Sequence, residues 1–250
     1  MVYLKPKISI IIPTFNSEAA VGDAIKSVIN QSYKNFEILI IDSDSLDNTV
    51  KIVQAFGGHN VRIFSEKDKG VYEAMNKGLD LALGDWVYFL GSDDIFYDNQ
   101  VLQIFIDEAE QSKAKVYYGN VLIKGNTPWA KDKTVYDGEF NWEKLKSKNI
   151  SHQAIFYNLN YLNEIKMRYD LNYPVCSDWD FNLRLWLKTE FVYFDVIVAV
   201  FTSGGLSTMS SDSFFEVIEN KFALPHTGSK NKSIKKTLIL FIQKILKILN

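Results

Sequence analysis

The chain opens with "KISIIIP", residues 7–13, a run of β-branched residues of the kind that forms a strand buried on both faces. From Glu18 to Gln31 the period changes. Val21, Ala24, Ile25, Val28 and Ile29 fall on one stripe, which predicts an amphipathic helix. "FEILIID" predicts a second strand, "NTVKIVQAF" a short helix stopped by Gly57-Gly58, and "VRIFSE" a third strand. Val71, Ala74, Met75, Gly78, Leu79 and Ala82 then mark a helical stripe that ends at Gly84, and "DWVYFLGSDD" is the fourth strand.

Repeated strand–helix units predict an α/β fold with a mostly parallel sheet and right-handed crossovers. Ligands of such sheets bind beyond the carboxyl ends of the strands. The polar clusters fall at those ends: "PTFNSE", "DSDSLDNT", "EKDKG" and "GSDD". One such loop alone reads equally as a helix cap, since Asp and Ser favour that role. Four on one edge point to a site.

Beyond residue 98 the pattern loosens. A helix is predicted over 99–113, a strand over "KVYYGNVLI", an irregular aromatic stretch with "GNTPWAKD" and then "SHQAIFY". A helix over 177–188 and the strand "FVYFDVIVAVF" follow. This divides 1–228 into a strand–helix half, 1–97, and a looser half, 98–228, ahead of a compositionally distinct tail, 229–250.

Composition adds limits. At 250 residues and 47% hydrophobic, the chain can bury a sizeable core. Its single cysteine, Cys176, excludes an internal disulfide and fits a reducing cytoplasm. Three scattered histidines argue against a zinc site. No apolar run approaches the ~20 residues that span a bilayer, and the first residues lack a signal-peptide pattern. The tail carries six lysines and no acid, so the rest of the chain holds −8 of a net −2. Its apolar residues (Ile234, Leu238, Phe241, Ile242, Ile245, Ile248, Leu249) share one helical face, which predicts a basic amphipathic helix lying on an anionic membrane surface.

The chemistry concentrates at Asp93-Asp94. Adjacent carboxylates at the mouth of an apolar strand repel each other unless a cation sits between or beside them. Mg²⁺ or Mn²⁺, hard cations that share carboxylates with substrate phosphates, suit that place. In "CSDWDFNLR", Ser177 and Asp180 fit a capping box, and Asp180 and Arg184 fit an i, i+4 pair. Asp178 is left without a structural task, in a first helical turn whose dipole favours its anion.

"ISIIIPTFNSE", "FEILIIDSDSLDNT", "EKDKGVYEAMNKGLDLALGDWVYFLGSDD" and "SDWDFNLRLW" together resemble a family 2 glycosyltransferase of the GT-A fold over residues 7–205. The nearest likeness is to bacterial enzymes of O-antigen and surface-polysaccharide synthesis. The resemblance implies inverting sugar transfer from a nucleoside-diphosphate sugar, with UDP as the expected nucleotide, to a hydroxyl of a glycan, lipid-linked in such pathways. It places the donor on Pro13, Thr14, Asn16, Glu18, Asp42 and Asp68. Asn76, Lys77 and Gly78 match the family's A-x-N-x-G helix beside the donor. Asp94 would hold the metal, Asp93 would lie nearer the donor sugar or ribose, and Asp178 would be the catalytic base. His152 and Gln153 are candidates for the acceptor or diphosphate side.

Two departures stand out. Where uridine-binding members often carry D-D-x-S, this chain has Ser43 for the second Asp, and the family's E-D is Ser177-Asp178. The alternatives are a metal-dependent nucleotidyltransferase, although "PTFNSE" lacks the glycine-rich basic loop that grips a triphosphate, and an inactive nucleotide-sugar-binding module. A nucleic-acid partner is not expected, and the oligomeric state stays open. The location implied is the cytoplasm, at the inner membrane face.

Overall fold

A computed structural model describes residues 7–58, 60–205 and Phe214. The first half alternates as the periodicity predicts: β1 (Ile8–Thr14), α1 (Val21–Ile29), β2 (Phe36–Asp42), α2 (Thr49–Gln54), β3 (Val61–Ser65), α3 (Val71–Leu81) and β4 (Trp86–Phe89). The second half adds β5 (Ile95–Phe96), α4 (Val101–Gln111), β6 (Val116–Lys124), β7 (Val135–Tyr136) and α5 (Trp142–Ser147). A 3₁₀ turn (His152–Ala154), β8 (Ile155–Asn158), α6 (Leu159–Glu164), α7 (Ser177–Trp186) and β9 (Phe191–Thr202) complete it. The tail, and with it the predicted amphipathic helix, lies outside the described residues.

Among the described residues one nine-stranded sheet joins both halves in the order β3-β2-β1-β4-β8-β6-β9-β5, with β7 on β6. β1 to β4 are mutually parallel, and β6 and β9 run the same way, so six of the nine strands share a direction. β8 runs antiparallel between β4 and β6. That inversion matters for function. An antiparallel strand presents its beginning at the edge where parallel strands present their ends, so the 3₁₀ turn before β8 arrives beside the loop after β4.

Alternation along the strands builds two cores. Ile8, Ile10 and Ile12 of β1 pack with α1 and α4 on one face; Ile11 packs with α3 and α7 on the other. Both faces of β1, β2 and β4 are covered, which is why those strands read as continuous apolar runs. Gly78 of α3 sits directly on Ile11: a Cβ there would lie 2.5 Å from Ile11 Cγ2. α3 therefore rests on the sheet at backbone distance.

The capping box predicted at α7 does not form. The N-cap is Cys176, with no side-chain cap, and Ser177 is already helical, its buried hydroxyl without a hydrogen-bond partner among the described residues. The predicted Asp180–Arg184 pair is present at 2.6 Å, and Asp180 is fully buried.

Candidate functional site

A cleft of about 770 Å³ opens at the carboxyl edge of the sheet. Its walls come from the loop after β1, the N-terminal turn of α3, the loop after β4, the turn before β8, the end of β9 and the first turn of α7. Of the residues singled out in the sequence, Pro13, Asn16, Asp93, Asp94, His152, Gln153 and Asp178 line it. Thr14, Glu18, Asp42, Asp68, Asn76, Lys77 and Gly78 do not.

Those others have structural tasks. Asp42, fully buried at the end of β2, accepts from the Thr14, Ser45 and Ser65 hydroxyls and from Ser45 N–H. Burial alone would raise its carboxyl, but the Ser45, Ser65 and Thr14 donors outweigh it and hold Asp42 below the ordinary aspartate value. Glu18 accepts from the backbone and side chain of Asn48, and Asn16 accepts from Leu46 N–H, so the loops after β1 and β2 interlock. Asn76 donates to Tyr169 C=O and accepts from Tyr169 N–H, clamping the segment that leads to α7. Lys77 pairs with Glu66 away from the cleft. The A-x-N-x-G stretch is thus a clamp and a packing surface. Asp68 accepts from Ser43 and Gly70 through Oδ1, while its buried Oδ2 has no partner among the described residues.

The two neighbouring carboxylates differ sharply. Asp93 is exposed in the cleft and makes no hydrogen bond among the described residues. Asp94 is 1% exposed, with Oδ1 accepting from Thr202 N–H at 2.7 Å and Oδ2 from Gln153 Nε2 at 2.6 Å. Burial, and then the charge of Asp93, push the Asp94 carboxyl up to about 7, against the pull of those two donors. Asp94 therefore ties three chain segments together at the cleft floor, where any side chain at Gly91 would collide with its carboxylate. Gln153 completes the tie: its Oε1 accepts from Ser151, and its backbone carbonyl accepts from the Tyr88 hydroxyl.

Asp178 sits in the first turn of α7, partly buried. Its Oδ1 accepts from Trp179 N–H at 2.9 Å, and the Tyr72 hydroxyl lies 3.0 Å away. That hydroxyl is also 2.5 Å from Val175 C=O, and its one proton is shared between the two acceptors. Burial and the Asp178 charge hold the Tyr72 phenol well above its ordinary value, so it stays a donor. Oδ2 accepts from Asn149 Nδ2 at 2.9 Å, with His152 Nδ1 at 3.5 Å.

The described residues contain no group of three or more His, Cys, Asp or Glu side chains able to cage a metal. In the cleft they present one exposed carboxylate, Asp93. A hard cation that keeps waters and takes substrate phosphate oxygens needs no more than one or two protein carboxylates. The donor set fits such an ion through Asp93; Asp94, with both oxygens engaged, fits as the residue that fixes the loop.

Several lining residues carried at most a weak signal in the sequence. Phe15 is 61% exposed and Trp129 42% exposed, both on the cleft wall, and Trp129 packs on Tyr136 and Phe201 with ring centroids 4.9 and 5.5 Å apart. A lone aromatic in a sequence cannot be told from core. Asn149 lay in a segment with no periodicity at all.

Comparison with known proteins agrees with this geometry. The family described as "Glycosyl transferase family 2" matches residues 9–165. A "PGL/p-HBAD biosynthesis glycosyltransferase" of Mycobacterium bovis is 38% identical over 221 residues, covering 84% of this chain and 82% of its own length. The "UDP-Glc:alpha-D-GlcNAc-diphosphoundecaprenol beta-1,3-glucosyltransferase WfgD" of Escherichia coli is 37% identical over 120 residues, 48% of this chain and 47% of that one. Among solved structures, TarS residues 1–349 of S. aureus in complex with UDP-GlcNAc superposes with a TM-score of 0.74 at 18% identity, covering 94% of this chain and 70% of that one, a likeness of fold. The chain belongs to glycosyl transferase family 2 and is a glycosyltransferase on a GT-A scaffold.

Proposed function

We propose that the protein is an inverting, metal-assisted glycosyltransferase. It moves a sugar from a UDP-sugar to a hydroxyl of a lipid-linked glycan during surface-polysaccharide assembly. The observation that carries this reading is one cleft with two cleft-facing carboxylates in different settings: Asp93, exposed and unengaged among the described residues, and Asp178, held by hydrogen bonds. Paired carboxylates with separate tasks suit a reaction that must both hold a diphosphate and remove a proton.

Asp93 would hold the Mg²⁺ or Mn²⁺ ion, with Asp94 setting the loop. Bound there, the ion would offset charge on the departing diphosphate. Pro13, Phe15, Asn16 and Ser17 form the wall beside that loop, Ser17 touching Ser92 at 2.9 Å, and would seat the nucleoside. By resemblance Asp68 would accept an N–H from the base, through an Oδ2 that is buried and unpartnered among the described residues. On the other side, Asp178 Oδ2 takes the proton from the acceptor hydroxyl. The acceptor oxygen bonds to the anomeric carbon as the bond from that carbon to the phosphate oxygen breaks. The nucleoside diphosphate leaves with that bonding pair. One displacement inverts the anomeric centre; a retaining double displacement needs a second, nucleophilic carboxylate, and Asp94 is buried and engaged.

Trp129, exposed on the wall and packed on Tyr136 and Phe201, would be the platform for the acceptor sugar. The UDP-sugar is supported by the UDP-GlcNAc bound to TarS and by the UDP-glucose in the name of the E. coli relative; that name also supports a lipid-diphosphate acceptor. No described helix is long and apolar enough to cross a membrane. Its composition suits residues 229–250 to an anionic inner-leaflet surface, where such an acceptor would be met.

The test is a panel of UDP-, GDP- and dTDP-sugars, scored for release of the nucleoside diphosphate with Mn²⁺, Mg²⁺ or chelator. Turnover of a UDP-sugar that needs the metal is expected. Turnover of another nucleotide alone, or full turnover in chelator, would overturn the donor or the metal assignment respectively.

A further inference from the structure

Behind Asp178 runs a file of hydrogen bonds that ends in the core. The Tyr157 hydroxyl donates to Asn182 Oδ1 at 2.7 Å. Asn182 Nδ2 donates to Asn149 Oδ1 at 2.9 Å, and Asn149 Nδ2 donates to Asp178 Oδ2 at 2.9 Å. Tyr157 and Asn182 are fully buried. The file has a direction. A phenol held far above its ordinary value by burial and by the Asp178 charge keeps its proton and donates. Asn182 must then offer its oxygen to Tyr157 and its amide nitrogen to Asn149. Asn149 in turn must offer its nitrogen to Asp178. The Tyr136 hydroxyl pins the Asn149 carbonyl at 2.8 Å, so the backbone cannot drift.

We propose that Asn149 is a positioning residue for Asp178, its amide locked in donor orientation by Asn182 and Tyr157. This rests on Asp178 being the base. The lock does two things. It steadies the ionised carboxylate, because a hydrogen bond to the charged form favours that form. It also occupies one lone pair of Oδ2, leaving the other for the acceptor hydroxyl. Among the described residues, the other titratable groups around Asp178 include Tyr72 from α3, Tyr136 from β7, His152 from the turn before β8, Tyr157 from β8, Tyr169 from the segment before α7 and the buried Cys176 at the N-cap of α7. All four tyrosines are held above their ordinary range, by burial first, so they stay neutral as Asp178 changes charge.

The experiment is the pH profile of kcat for wild type, Asn149→Ala and Asn182→Leu, with donor affinity by calorimetry and melting temperature on the same preparations. Asn182→Leu touches neither the cleft nor Asp178. It releases the Asn149 amide from its lock, and it decides the matter if Asn149→Ala does not fold. For Asn149→Ala the acid limb moves to higher pH by about one unit, the scale of one charge-assisted hydrogen bond. Asn182→Leu moves it the same way by less, and donor affinity stays within about twofold. An acid limb that stays in place in both variants, whatever the fall in kcat, makes these residues merely structural and overturns the proposal. Asp178→Asn is measured alongside. If that variant retains transfer, the assignment of the base has failed and the positioning role falls with it; if it is inactive while the limbs stay in place, only the positioning role has failed.

Discussion

Gly78→Ala separates packing from ligand contact in the A-x-N-x-G helix. By resemblance Gly78 belongs beside the donor, yet it faces Ile11 under α3. A Cβ at position 78 would lie 2.5, 2.9 and 3.1 Å from Ile11 Cγ2, Cδ1 and Cγ1. Ile11 is fully buried in a central strand and β-branched, so it has little rotamer freedom with which to retreat. Overpacking of this kind costs about 1–3 kcal/mol, and three contacts this tight place it near the upper end. Replacing a mid-helix glycine by alanine returns about 1 kcal/mol of helix propensity. The net loss is then about 2 kcal/mol, a fall in Tm of roughly 4–8 °C for a chain of this size. The assay is calorimetric melting, with UDP titration alongside. A double-mutant cycle with Ile11→Ala localises the cause: in that background the cost of Gly78→Ala vanishes or reverses, because the clashing atoms are gone. An unchanged Tm with a lost UDP affinity would refute the packing role.

Three further outcomes follow from the same geometry. Asp42 has a depressed carboxyl, so its contribution to stability is present above the ordinary aspartate value of 3.8 and is lost as pH falls through the lower folded value. Asp42→Asn, which turns an amide onto hydroxyl donors, should lower Tm near neutrality and flatten its dependence below about pH 4; a parallel acid slope in wild type and variant would contradict this. Asp93→Asn should abolish the metal dependence of UDP binding without lowering Tm, whereas Asp94→Ala should lower Tm by unfastening Thr202 and Gln153; the reverse pattern would make Asp94 the metal ligand. Trp129→Ala should raise the acceptor KM by about tenfold, the scale of one aromatic contact, with donor KM unchanged; an equal rise in both would remove Trp129 from the acceptor side.

The first half of the fold was legible because even its short elements, such as β4 and α2, keep one period and are bounded by polar or glycine-rich turns. β1, β2 and β4 are apolar on both faces and α3 carries a full stripe, so Ile8–Phe89 could be read almost element by element. β5, β7, α5, β8 and α6 were not, since they are short and sit in irregular stretches without alternating neighbours to bound them, and β8 is identified only by its partners β4 and β6. At the site, residues whose chemistry is unusual for their place were found: Asp93, Asp94, His152, Gln153 and Asp178 all line one cleft. Which of two adjacent carboxylates is buried depends on Thr202, 108 positions away, and no local spacing contains that. Asn149 escaped notice because an amide in a loop looks ordinary until Asn182 and Asp178 are seen on either side of it.

The most direct measurement is made on Asp178→Asn, which keeps size and polarity but gives up one acceptor oxygen and cannot take a proton. Donor affinity and transfer rate are determined on one preparation. Affinity within about twofold of wild type, with transfer reduced by on the order of 10²- to 10⁴-fold, is the predicted result. Transfer within a few-fold of wild type would show that another group removes the acceptor proton.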